Sequence, residues 1–103
     1  MNSNRVEETA ALRDMASRAL REQAAGLSPF TIATYRRILQ LFCDWYAAHY
    51  GAEATRQALS DEVVARYLQW SAMRVSASTV RLRRSALRWM ADALKNEEPG
   101  HDK

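Results

Sequence analysis

Apolar side chains in this chain recur every three or four positions and never every second one, a helical rhythm with no strand-length alternation. Across residues 7–25 (EETAALRDMASRALREQAA), Leu12, Met15, Ala16 and Leu20 make one narrow stripe. From Pro29 to Tyr50, at about 100° per residue, Ile32, Tyr35, Ile38, Leu39, Phe42, Trp45, Tyr46 and His49 share one broad arc. Ala33, Arg36, Arg37, Gln40 and Asp44 lie opposite, so this segment is predicted as the main core helix. A third helix opening at Asp61 buries Val63, Val64, Tyr67, Leu68 and Ser71, and a fourth, running to about Leu94, buries Val80, Leu87, Met90, Ala91 and Leu94.

Punctuation agrees with the rhythm. Gly26 and Gly51 stand where helices should stop. Ser28-Pro29, Ser60-Asp61-Glu62 and Ser76-Ala77-Ser78-Thr79 stand where helices should start, with a capping hydroxyl and, at Pro29, a residue whose missing N–H costs nothing in the first turn. The stretch AEATRQAL is predicted as a loop, and the fold as an all-α, four-helix domain.

Composition narrows the class. At 103 residues, with 48% hydrophobic and 26% charged, the chain has room for one modest core and no separate substrate domain. Residues 1–9 are expected to be a flexible N-terminus, 10–94 the folded domain, and the polar run 95–103 the start of a linker, as in a piece of a longer protein. The chain has no apolar run of membrane length and its N-terminus no apolar signal core, so no membrane partner and a cytoplasmic location are expected. A lone Cys43 supports neither an internal disulfide nor a zinc site, and no metal or cofactor is called for.

Charge adds the first functional clue. Thirteen of the 15 basic residues are Arg, and residues 28–94 carry nine Arg against five acids. Between Arg74 and Arg88 there are five Arg and no acid. Such a block is either a solvated face or the footprint of a nucleic acid. Arg81, Arg84 and Arg88, at i, i+3 and i+7, form one stripe, with Arg83 turned toward the core. A helix start offers free N–H groups and partial positive charge, so Ser28, Thr31 and Thr34, and likewise Ser76, Ser78 and Thr79, suit a phosphate backbone. As plain caps, the same residues need no ligand. Catalytic chemistry finds little support: His49 lies on the inner arc and His101 in the tail, Cys43 reads as a packing residue, and the paired acids sit at helix ends. No Gly-rich phosphate loop is present.

The order of these signals resembles a known family. SPFTIATYRRILQLFCDW at 28–45, DEVVARYLQW at 61–70 and SASTVRLRRSALRWM at 76–90 are similar to the N-terminal core-binding, SAM-like domain of tyrosine recombinases, the phage integrases. Ser28, Thr31, Tyr35, Phe42, Trp45, Val64, Tyr67, Leu68, Ser76, Ser78, Thr79 and Ser85-Ala86-Leu87-Arg88 carry the match. The resemblance implies an orthogonal four-helix bundle forming half of a clamp around duplex DNA, with Ser28, Thr31, Thr34, Arg37, Ser76, Ser78, Thr79 and Arg81 toward the DNA. Where the family often has Arg and then Leu, this chain has Leu82 and later Arg84. The family's catalytic Arg, Lys or His, His-x-x-Arg and Tyr belong to a separate C-terminal domain and find no match here, so the chain is expected not to be an enzyme by itself.

The resulting expectation is a DNA-binding module for integration and recombination, its DNA side extended along the Arg84 and Arg88 stripe. The rival is a helical protein-interaction module whose Arg stripe meets an acidic partner. A helix-turn-helix regulator fits less well, because 60–79 lacks a short Gly-containing turn. With Val80 at 0°, Leu82 and Trp89 fall near about 200° and 180°, away from the expected core. They are therefore expected to form an outward patch, Leu82 toward a thymine methyl or sugar and Trp89 toward a catalytic domain or a neighbouring protomer. The competing possibility is that the first helix folds over Trp89.

Overall fold

In the computed structural model, residues 10–97 are described and form four α-helices: α1 (Leu12–Glu22), α2 (Pro29–Tyr50), α3 (Asp61–Ala72) and α4 (Ala77–Glu97). A short 3-10 helix, Arg56–Leu59, precedes α3, and there is no strand among the described residues. The expected N-terminal segment 1–9 and residues 98–103 of the expected linker lie outside the described residues.

The start signals act as read. Ser28, Ser60 and Ser76 each accept a hydrogen bond from the backbone N–H three residues on, at 3.1, 3.3 and 3.3 Å. Gly51 ends α2 at φ +70°, and Gly26 takes φ +97° in the turn after α1, both in the left-handed region that a Cβ disfavours. The first helix is shorter than expected: it begins at Leu12, whose N–H donates to the Ala54 carbonyl at 2.8 Å, and ends at Glu22. Gln23 then turns its side-chain amide to the Ala93 carbonyl at 3.0 Å.

α1 packs on α2 and α3 packs on α4, while α4 also meets α1 and α2. Phe42, fully buried, lies edge-on to Tyr67 with ring centroids 5.1 Å apart, and Trp45 lies 5.1 Å from Tyr67 and 5.9 Å from Phe42. Leu12, Met15, Ala16 and Leu20 are buried as expected.

Several expectations are corrected, and on α3 Val63 and Val64 are half-buried rather than buried, since they lie in the first turn at the edge of the core. Rather than a loop, AEATRQAL contains the 3-10 helix and buries Ala54 and Ala58. α4 runs to Glu97, three residues past its expected end, and the Arg56 guanidinium donates to its Leu94 carbonyl at 3.1 Å. His49 is exposed, not inward: its ring lies against the outer side of the aromatic group, 4.8 Å from Trp45, and its Nδ1 is 3.0 Å from the Trp45 carbonyl oxygen. On α4 the core includes Ala86 and Ala93 and excludes full burial of Val80 and Ala91, so its centre is rotated toward Met90. That rotation brings Trp89 onto the flank of the core, half-buried, 6.0 Å from Tyr35 of α2. Trp89 thus does not stand outward beside Leu82, and it is α2, not α1, whose ring meets it.

Candidate nucleic-acid interface

At the start of α2, Ser28 is extended (φ −70°, ψ 158°), its Oγ accepts from the Thr31 N–H and its hydroxyl donates to Thr31 Oγ1 at 3.0 Å. Pro29 follows, and the first turn holds no acid. Ser28 is exposed and Thr31 and Thr34 are half-buried; Arg37, two turns along, is exposed. At the start of α4, Ser76 Oγ lies 3.1 Å from both Ser78 Oγ and Thr79 Oγ1. Ser76 and Ser78 are exposed, Thr79 is half-buried, and again no acid occupies the first turn. The start of α3 differs: Ser60 caps it in the same way, but Asp61 and Glu62 follow at once. Two of the three serine-capped starts therefore combine hydroxyls, free N–H groups and positive dipole without a local negative charge.

The arginines divide into two groups. Arg13 pairs with Asp44 and Glu53 at 3.5 and 3.6 Å, and Arg66 with Glu62 at 3.6 Å. Arg83 behaves as its position suggested: it donates to Ser71 Oγ at 2.8 Å and its guanidinium lies 5.6 Å from the Tyr67 ring centroid. Arg74 stacks over Trp70 at 4.3 Å. Arg37, Arg81, Arg84 and Arg88 are all exposed and have no acidic partner among the described residues. Arg84 and Arg88 also rim an open groove of about 670 Å³ between α3 and α4, with Val64, Leu68, Val80 and Leu87 in its lining and Asp61, Asp92 and Lys95 beside them. Arg81 lies outside it, so the stripe is shared between a groove and an open face.

α2 and α4 meet through Tyr35 and Trp89, but no hydrogen bond among the described residues joins the two hydroxyl clusters. Two large apolar residues escaped the sequence reading: Phe30, 79% exposed at the head of α2, and Met73, 82% exposed after α3. The signal for Phe30 was its place off the apolar arc. Leu82 is 41% exposed.

Nucleophiles are poorly served. Burial pushes the Cys43 thiol up to about 11, and Arg13 only partly offsets this, so the thiol stays protonated at neutral pH. Tyr67 is fully buried and burial raises its phenol as well. Tyr50 is 38% exposed and its hydroxyl accepts from Arg66 at 3.1 Å, a single Tyr–Arg pair. Among the described residues no three His, Cys, Asp or Glu gather as a metal site, and no helix is long and apolar enough to cross a membrane.

Comparison with known proteins bears on this arrangement. The family model of the phage integrase N-terminal SAM-like domain matches residues 18–98, which takes in the end of α1 and all of α2, α3 and α4. No curated protein and no solved structure matches the chain. The ordered helices, their serine starts and the match over most of the sequence have one conclusion: the chain belongs to the phage integrase N-terminal SAM-like domain family of tyrosine recombinases.

Proposed function

We propose that this chain is the core-binding module of a site-specific tyrosine recombinase, gripping duplex DNA for cleavage and rejoining carried out by a separate catalytic domain. The observation that carries the reading is the contrast among the three capped helix starts: α2 and α4 lack acids and lead into arginines with no acidic partner, whereas α3 carries Asp61 and Glu62. Phosphates are attracted to the first two and repelled by the third. Ser28, Thr31, Thr34 and Arg37 form one set of backbone contacts, and Ser76, Ser78, Thr79, Arg81, Arg84 and Arg88 the other. From the Tyr35–Trp89 contact, Thr31 is one turn away along α2 and Thr79 about 15 Å away along α4. Leu82, 41% exposed, is left for sugar or a neighbouring protomer.

A second reading draws on the α3–α4 groove, whose apolar lining and Arg84, Arg88 and Lys95 rim suit an acidic, amphipathic segment of a partner protein. Competition separates the two. Fluorescence anisotropy with a labelled duplex should show displacement by unlabelled duplex at much lower charge concentration than by polyglutamate, and the reverse order would favour the protein-partner reading. Incubation with a nicked suicide duplex should yield no covalent adduct; an adduct, with Tyr50 the first candidate, would overturn the division of labour.

A further inference from the structure

We propose that Phe30 is a base-reading residue that contacts thymine C5-methyl groups in the major groove, an inference that rests on the DNA-binding reading above. Phe30 is 79% exposed, and its ring makes no ring–ring contact among the described residues, so its apolar surface contributes nothing to the core. Taking Ile32 as 0°, Phe30 falls near about 160° on α2, between Arg37 near 140° and Thr34 near 200°, while the buried residues Trp45, Ile38, Phe42, Leu39 and Cys43 span from about 220° round to 20°, which leaves Phe30 about 60° outside the core. The ring thus shares its stripe with a hydroxyl and with a guanidinium that has no acidic partner.

Size and surroundings select the partner. One aromatic side chain presents about 150–250 Å², against about 800 Å² per side in a stable protein interface, and its neighbours along the helix, Ala33, Thr34 and Arg37, add little apolar surface beyond a methyl group or two. A ring flanked in this way matches a groove floor, where phosphates take the hydroxyls and the cation and the thymine methyl is the apolar group on a base edge. At the second helical position a polar residue would serve the helix as well, so the phenyl group is not required by folding.

Deleting the methyl from the DNA and the ring from the protein isolates this contact. The full chain and its Phe30→Ala variant are titrated against an alternating d(AT) duplex and the d(AU) duplex of equal length, which differs only in lacking the methyls. Wild type is expected to bind d(AT) about three- to fivefold more tightly than d(AU), the yield of burying about one methyl group. Phe30→Ala should bind both duplexes equally, with an unchanged salt slope because no phosphate contact is lost. Leu82→Ala should keep at least the threefold preference. A Phe30→Ala variant that keeps the full preference, or that weakens both duplexes alike, would overturn the assignment while leaving DNA binding intact. Loss of self-association in Phe30→Ala with unaltered duplex binding would assign the ring to a protein contact and also overturn it. Failure of wild type to bind either duplex at low salt would instead count against the proposed function itself.

Discussion

Trp45 concentrates more of the fold than any other side chain. Its ring lies within 6.3 Å of those of Phe42, His49, Tyr50, Tyr67 and Trp70, and the residue is only 6% exposed. Trp45→Ala is expected to cost about 3–5 kcal/mol in urea unfolding, a large part of the stability of so small a domain. Cys43 gives a pH signature. Its thiol titrates near 11 when folded, against 9.0 for the ordinary group, so the folded state favours the protonated form. That contribution is complete below the unfolded value and is lost as pH rises through the folded one. Native Cys43 should resist a thiol reagent at pH 8 and react once urea unfolds the chain, and Cys43→Ala should reduce the fall in melting temperature between pH 9 and 11. Rapid labelling of the native thiol would contradict its burial. The buried role of Cys43 was legible, though its position on the helical wheel suggested the edge of the core. The outward turn of His49 was not, because an aromatic ring at the end of an inner arc can pack on the outside of the ring before it.

At the scale of elements, the helices and their caps follow from local chemistry and the departures follow from tertiary contact. Serine starts fix the beginnings of α2, α3 and α4, and a glycine stop ends α2 at Gly51, because capping is decided within four positions. The 3-10 helix and the last turns of α4 are joined by Arg56, which donates to the Leu94 carbonyl across the fold, and periodicity carries no trace of that contact. The same holds for the face of α4, where Ala86 and Ala93 are buried because neighbouring helices approach closely, although alanine adds little to an apolar pattern. Their burial turns Trp89 onto Tyr35 and removes it from the expected outward patch. The caps also provide an internal control on the candidate site. Ser28→Ala, Ser60→Ala and Ser76→Ala should each cost about 1 kcal/mol of stability by thermal unfolding. Only the first and third should also weaken duplex binding, since Asp61 and Glu62 keep phosphate away from α3. Equal losses of affinity in all three would make the hydroxyls mere caps.

For the whole molecule, the decisive feature is where charge is left unneutralised. The +3 formal charge is modest, yet Arg13, Arg66 and Arg83 are tied to protein partners, while Arg37, Arg81, Arg84 and Arg88 are exposed and have no acidic partner among the described residues. The acid-free run from Arg74 to Arg88 was legible in the sequence; that Arg84 and Arg88 would also rim the groove against α3 was not, because it depends on how two helices pack. Binding that rests on phosphates must weaken with salt in proportion to the cations engaged, each worth about 0.9 in the slope of log affinity against log salt. The salt dependence of duplex affinity, measured for wild type and for an Arg81→Ala, Arg84→Ala, Arg88→Ala triple variant, tests this most directly. Wild type should bind any duplex at low salt, weakening steeply as salt rises, and the triple variant should bind more weakly with a slope shallower by about three. A triple variant with the affinity and slope of wild type would mean that the arginines are a solvated face and that the account of the interface is wrong.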